Sequence, residues 1–238
     1  MFPIEPIKID VASENALIVY FAGATLNRKN QQVSMFVHLL EQANSPWLLD
    51  VTPAYHSVLI TFDILQTDYF AVKARIIELV KALKDGQTKQ IFANQETNIV
   101  ELPVCYGLSE DNDLQRIADH NQITVEQVIQ LHQQNSYRVY CLGFSPGFAF
   151  LGETDEKIAT PRLTTPRKQV PKGAVAIADR QTAVYPNVSP GGWNIVGVCP
   201  LALFVPERAS PSPFKVGDTV RFKEISEHKY YQLLEANR

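Results

Sequence analysis

The sequence predicts two domains: an α+β unit of two helices on an antiparallel sheet over residues 1–99, and a closed or nearly closed β-barrel over residues 100–238. Three observations carry that prediction. The first hundred residues alternate short β-rich runs with two amphipathic helical patterns. Beyond residue 135 helical periodicity vanishes, and short β-rich runs recur between proline and glycine turns. Between the halves lies the polar, aperiodic segment 85–97, DGQTKQIFANQET, whose Asp-Gly stops a helix and which reads as a linker. A chain of 238 residues is long enough to bury two modest cores.

Taken in order, PIKIDVA and ALIVYFA read as strands around a turn at residues 13–15. Residues 27–43 then carry Val33, Phe36, Val37 and Leu40 at helical spacing. WLLDVTPAYHSVLITFD gives two more strands broken at residues 52–54, and residues 68–84 set Val72, Ile76, Leu79, Val80 and Leu83 on one helical face. The order is ββαββα, closed by a strand near residues 99–104, and a sheet covered on one face by two helices is the simplest way to bury both.

The second half opens with a helical pair. Residues 111–120 turn Leu114, Ile117 and Ala118 inward, and Thr124 with Gln127 forms a capping-box pattern ahead of Val128, Ile129 and Leu131. VYCLGF, GAVAIA, TAVYP, NIVGV, LALFV and TVRFKEI follow as candidate strands, and the tail from residue 228 adds one or two exposed helical turns.

Composition narrows the function classes. An apolar fraction of 45% and a charged fraction of 20% describe an ordinary globular chain. A net charge of −3, with no Lys/Arg-rich run, offers no footprint for nucleic acid. No leader pattern and no run of eighteen apolar residues occurs, so a cytoplasmic location and no membrane partner are expected. Cys105, Cys141 and Cys199 are odd in number and far apart, which fits reduced thiols better than disulfides or zinc.

Chemistry concentrates between residues 137 and 200. That quarter of the chain holds seven of the eleven glycines and seven of the fifteen prolines, so it needs a shaped backbone, as a cleft rim does. Arg162 and Arg167 each follow a proline, with Lys168 and Lys172 close by. Guanidinium forks on a stiff loop suit carboxylate or phosphate, and a solvated loop explains the same charges; spacing leaves both open. Ser189-Pro190-Gly191-Gly192-Trp193 offers exposed amides, a hydroxyl and a flat apolar wall, or else a tight turn with Trp193 in the barrel core. Phe144-Ser145-Pro146-Gly147-Phe148 either closes a strand or lines a pocket. Gly143, Ser145 and Gly147 match a nucleophile-elbow pattern literally, but Pro146 and the lack of a following helix argue against a serine hydrolase. His120 and His132 show no metal spacing and read as helix-surface or capping residues. Glu153, Asp155 and Glu156 either solvate a turn or serve magnesium on a nucleotide.

These motifs, in DLQRIADHNQITVEQVIQLHQQNSYRVYCLGFSPGFAFLG, ATPRLTTPRKQVPKGAVAIADRQTAVYPNVSPGGWNIVG and LFVPERASPSPFKVGDTVRF, resemble the KipI/PxpB family, also described as allophanate hydrolase subunit one. The resemblance spans nearly the whole chain. It implies a cyclophilin-like barrel after the α+β domain, and a role as the B subunit of a heteromeric, ATP-dependent 5-oxoprolinase with partners resembling PxpC and PxpA and ATP with Mg2+ as co-substrate. It further implies catalytic roles for Arg162, Arg167 and Lys172, and substrate contacts from Phe144, Phe148, Gln181, Tyr185, Ser189, Gly191, Gly192 and Trp193, with no metal ligand. Ala149, Phe150 and Glu153 depart from the family's GFxPGFPYLGG, and Ala176 and Ala183 stand where family members commonly have glycine. A second reading from the same family is a regulatory module that inhibits a sensor histidine kinase; a third is a component of allophanate or urea metabolism.

Overall fold

The computed structural model describes residues 8–84, 98–108 and 111–236, apart from the side chains of residues 82–84. The expected linker at 85–97 and the inward face of Leu83 lie outside the described residues. Two compact units form, residues 1–96 and 97–238.

In the first unit, β1 (Lys8–Ser13), β2 (Ala16–Tyr20), β3 (Leu48–Pro53) and β4 (Ser57–Phe62) make an antiparallel sheet of order β1-β2-β4-β3. The Thr25 hydroxyl accepts from the Arg28 amide and starts α1 (Leu26–Gln42); α2 (Tyr69–Lys84) follows β4. Alternate residues Val58, Ile60 and Phe62 of β4 face Val33, Phe36 and Leu40 of α1 and Val72, Ile76, Leu79 and Val80 of α2 in one buried cluster.

The second unit is a closed barrel. Around it run β10 (Gln181–Val184), β7 (Ala149–Gly152), β6 (Tyr137–Leu142), β13 (Thr219–Glu224), β5 (Ile99–Tyr106), β12 (Asn194–Val198) and β9 (Ala174–Ala178), with β9 pairing back to β10. The strand near residue 99 therefore opens the barrel instead of closing the first unit: its residues 99–104 pair in parallel with 219–224. Two segments read as loops pair as a ribbon, β8 (Arg167–Val170) with β11 (Ser189–Gly191). Residues 201–205, LALFV, form no strand; Pro200 and Pro206 bracket them, and Leu203 is buried with its carbonyl over Gly147.

Helices α3 (Leu114–Asn121) and α4 (Val125–Gln134) pack into the barrel's buried cluster through Leu114, Ile117, Ala118 and Val128, and the Thr124–Gln127 capping box is formed. His132 corrects the surface reading. It is wholly enclosed, stacked on Phe222 with ring centroids 4.5 Å apart, its Nδ1 2.8 Å from the Tyr106 hydroxyl and its Nε2 2.9 Å from Thr182 Oγ1. Thr182 donates its own proton to the Ala176 carbonyl, so it accepts from Nε2–H, and Nδ1 accepts from Tyr106. The ring is neutral, and burial lowers its pKa to about 3. The exposed α5 (Glu227–Ala236) ends the described chain, and no helix among the described residues is long and apolar enough to cross a membrane.

Candidate functional site

Strand β9 is buried on both faces, and that double burial builds the site. Val175 and Ile177 face the barrel interior. Ala174, Ala176 and Ala178 belong to a separate outer cluster with Ala183, Val170, Ile195, Phe148, Tyr185 and Trp193. Small alanines leave room for large rings. Ala176 and Ala183 therefore sit among the aromatics, where a methyl in place of hydrogen adds contact.

Above this layer lies a cleft of about 330 Å3 lined by Phe144, Phe148, Phe150, Arg162, Pro166, Tyr185, Pro190, Gly191, Gly192 and Trp193. Its rings meet edge to face, Phe148 against Phe150 at 4.8 Å, Tyr185 at 5.4 Å and Trp193 at 6.1 Å, which fixes flat walls. The Arg162 guanidinium lies 5.6 Å from the Trp193 ring centroid and is exposed at the rim. Tyr185 is 3% exposed. Burial raises its hydroxyl pKa above the ordinary value, opposed in turn by Arg162, a hydrogen bond with the Trp193 backbone, and Arg167. A Cβ at Gly191 would stand 2.5 Å from the Tyr185 oxygen, so only glycine lets this strand cross the phenol.

Phe144 and Phe148 also line a wider, open cleft of about 610 Å3 formed by residues 142–148 with Phe204, Ser210, Pro211, Ser212 and Phe214. Among the described residues the wider cleft has no charged lining residue, whereas Arg162 lines the smaller one. Phe144 is 66% exposed and adopts φ 70°, a strained position for a bulky residue that places its ring at both rims.

Seven of the residues expected from sequence thus line one cleft: Phe144, Phe148, Arg162, Tyr185, Gly191, Gly192 and Trp193. The other four do not line it. Arg167 turns away, its Nη2 3.0 Å from Asp113 Oδ1 and 3.0 Å from the Asp111 carbonyl, because a half-buried guanidinium is held by the carboxylate at the start of α3. Ser189 lies on β11 opposite Val170. Both keep one enclosed polar atom without a partner among the described residues, Arg167 Nη1 and Ser189 Oγ. Lys172 stands on the exposed turn between β8 and β9, and Gln181 pairs with Gly152 and Ala178 at the start of β10.

Sequence reasoning missed Phe150, Pro166 and Pro190 in the lining, and Asp113 behind it. The prolines adjoin Arg167 and Gly191, so their place was within reach. Asp113 gave no signal: its Oδ2 accepts from the Ile195 amide at 2.7 Å across 82 residues, a pairing that only the fold creates. All three cysteines are free, and burial raises each thiol pKa, Cys199 to about 11, which leaves none activated as a nucleophile. No three His, Cys, Asp or Glu side chains gather to hold a metal among the described residues.

Comparison with known proteins agrees with this architecture. The family model for the carboxyltransferase domain, subdomain C and D, matches residues 7–214. The B subunit of 5-oxoprolinase from Bacillus subtilis (strain 168) is 37% identical over 233 residues, covering 94% of this chain and 95% of that one. The solved structure of TTHA0988 superposes with a TM-score of 0.74 at 34% identity over 89% of this chain; the chain spans 40% of the length of that protein. The Kluyveromyces lactis urea amidolyase, 17% identical with a TM-score of 0.75, shares the fold over 99% of this chain and 16% of its own length. The family match over residues 7–214 and 37% identity along 94% of the chain with a 5-oxoprolinase B subunit lead to one conclusion: this chain belongs to the carboxyltransferase-domain family of subdomains C and D.

Proposed function

We propose that this chain is the B subunit of a heteromeric, ATP-dependent 5-oxoprolinase that opens 5-oxo-L-proline to L-glutamate, and that the aromatic cleft takes the lactam. The reading of the activity rests on the 37% identity with the B subunit of a 5-oxoprolinase along nearly the whole chain. Its placement rests on Arg162 over Trp193: a small flat acid stacks between aromatic walls while a guanidinium at the rim meets its carboxylate.

A lactam amide is a poor electrophile. Transfer of the γ-phosphoryl group of ATP to the lactam carbonyl oxygen releases ADP and activates the ring carbon. One water adds there and the C–N bond opens, the nitrogen taking a proton, to leave a γ-glutamyl phosphate; a second water hydrolyses that acyl phosphate to glutamate and phosphate. In this scheme Arg162 holds the substrate carboxylate, Tyr185 O–H and the amides of Gly191 and Gly192 face the polarised ring, and Phe148 and Trp193 keep bulk water away. Arg167 and Ser189 support the wall from behind; Lys172 and Gln181 have no place in the cleft. The cleft does not fit a triphosphate, since Arg162 is its one cation among the described residues and the adjoining Gly191-Gly192 turn is not a GxxxxGK(S/T) phosphate loop. Nucleotide and Mg2+ are therefore assigned to a site completed by partners resembling PxpC and PxpA.

The test is 5-oxoproline-dependent ATP hydrolysis by this chain assembled with those partners. The expected Arg162→Ala phenotype is a KM for 5-oxoproline raised about a hundredfold, from loss of a charge-assisted pair of about 3 kcal/mol, with the chain still folded. Wild-type kinetics in that variant would sink the assignment of the cleft.

A further inference from the structure

Arg162 and Trp193 face each other across the cleft rim, yet they come from separate segments and neither is fixed by the barrel ladder at that point. Their neighbours are. On one side of the pair, the Leu163 amide donates to the Gly192 carbonyl at 2.7 Å. On the other, Asn194 Nδ2 donates to the Pro161 carbonyl at 3.1 Å, and also to the carbonyls of Ile177 at 3.0 Å and Thr160 at 3.4 Å. The bonds 163–192 and 161–194 bracket residues 162 and 193, so the cation and the ring are brought opposite each other by the rungs on either side.

The outer rung is completed from elsewhere. Arg116, in the first turn of α3, donates from Nη1 to Asn194 Oδ1 and to the Pro161 carbonyl at 3.2 Å. Asn194 is fully buried, and its oxygen has Arg116 as its donor. Arg116 itself does not line the cleft. We infer that Arg116 is a positioning residue, a cationic clip on α3 that locks the 161–194 rung and thereby sets Arg162 against Trp193. Without it Asn194 Oδ1 is left buried and unpaired, and the Pro161 carbonyl loses one of its two donors, which frees the backbone directly before Arg162.

This inference rests on the proposed function only for its kinetic arm; the spectroscopic arm stands alone. In the first arm, the Trp193 signal of the full chain is the emission of wild type minus that of Trp193→Phe. Arg116→Ala is expected to shift that signal and its acrylamide quenching toward those of Arg162→Ala, and Arg116→Lys, which keeps a cationic donor, to recover most of the difference. In the second, the assembled enzyme carrying Arg116→Ala is expected to show a KM for 5-oxoproline raised about tenfold with kcat within about twofold of wild type. A fall in the urea midpoint with the Trp193 signal unchanged overturns the inference, because Arg116 is then a structural bond alone. An unchanged KM in Arg162→Ala overturns the cleft assignment, not the bracket, which the Trp193 spectra decide.

Discussion

Lowering the pH from 7.5 to 5.0 is expected to destabilise this protein through His132 in particular. The folded chain holds the imidazole neutral between Tyr106 and Thr182, with a pKa of about 3, while the unfolded chain protonates it near 6.5. Between those values the unfolded state binds a proton that the folded state refuses, so stability is fully present above pH 6.5 and is lost as pH falls toward 3. The full span is worth about 5 kcal/mol, and about 2 kcal/mol of it is gone at pH 5.0. Urea unfolding of wild type and His132→Gln at both pH values isolates the effect, since the two proteins share every other residue. The variant is expected to be less stable at pH 7.5, but its loss on acidification should be smaller by about 2 kcal/mol. Equal losses would refute the reasoning, as would an imidazole NMR signal from His132 that titrates above pH 5 in the folded chain.

Two further outcomes follow from the walls of the cleft. Gly191→Ala places a methyl against the Tyr185 hydroxyl at 2.5 Å, so the phenol or the strand must shift; overpacking of about 1–3 kcal/mol is expected in urea unfolding, together with weaker 5-oxoproline binding by calorimetry in the assembled enzyme. Asp113→Ala strips the Arg167 guanidinium and the Ile195 amide of one partner at once; a loss of about 3–5 kcal/mol in urea unfolding is expected, and a loss below about 1 kcal/mol would mean the pair is solvated.

Much of this was legible in the amino-acid order. Val33, Phe36 and Leu40 announced α1 because an amphipathic helix writes its buried face at a fixed period. Thr124 and Gln127 announced α4 because a capping box is local chemistry. The Gly-Gly-Trp turn and the Pro-Arg pair pointed to a cleft because shaped backbone leaves its mark in composition. What escaped was non-local. His132 looks like any polar residue on a helix, and only closure of the barrel around α4 encloses it. Arg167 looked like a partner for a ligand, and only the start of α3, more than fifty residues upstream, shows that an aspartate already holds it. The ribbon β8–β11 was unreadable for the same reason: three- and four-residue strands carry too few alternations to register, and pairing across the chain defines them.

The parallel pairing of residues 99–104 with 219–224 has a consequence for synthesis. β13 lies between β5 and β6 in the barrel, so until it leaves the ribosome both of those neighbours present a bare edge. Everything from residue 107 to 218, cleft included, is made before the wall behind it can shut. A barrel lacking β13 would have two unpaired borders, and its closing contact joins residues about 120 positions apart, the kind of long-range pairing that slows folding. A chain stopped just short of Thr219 would carry every residue of the aromatic cleft and still be drawn to aggregate along those borders.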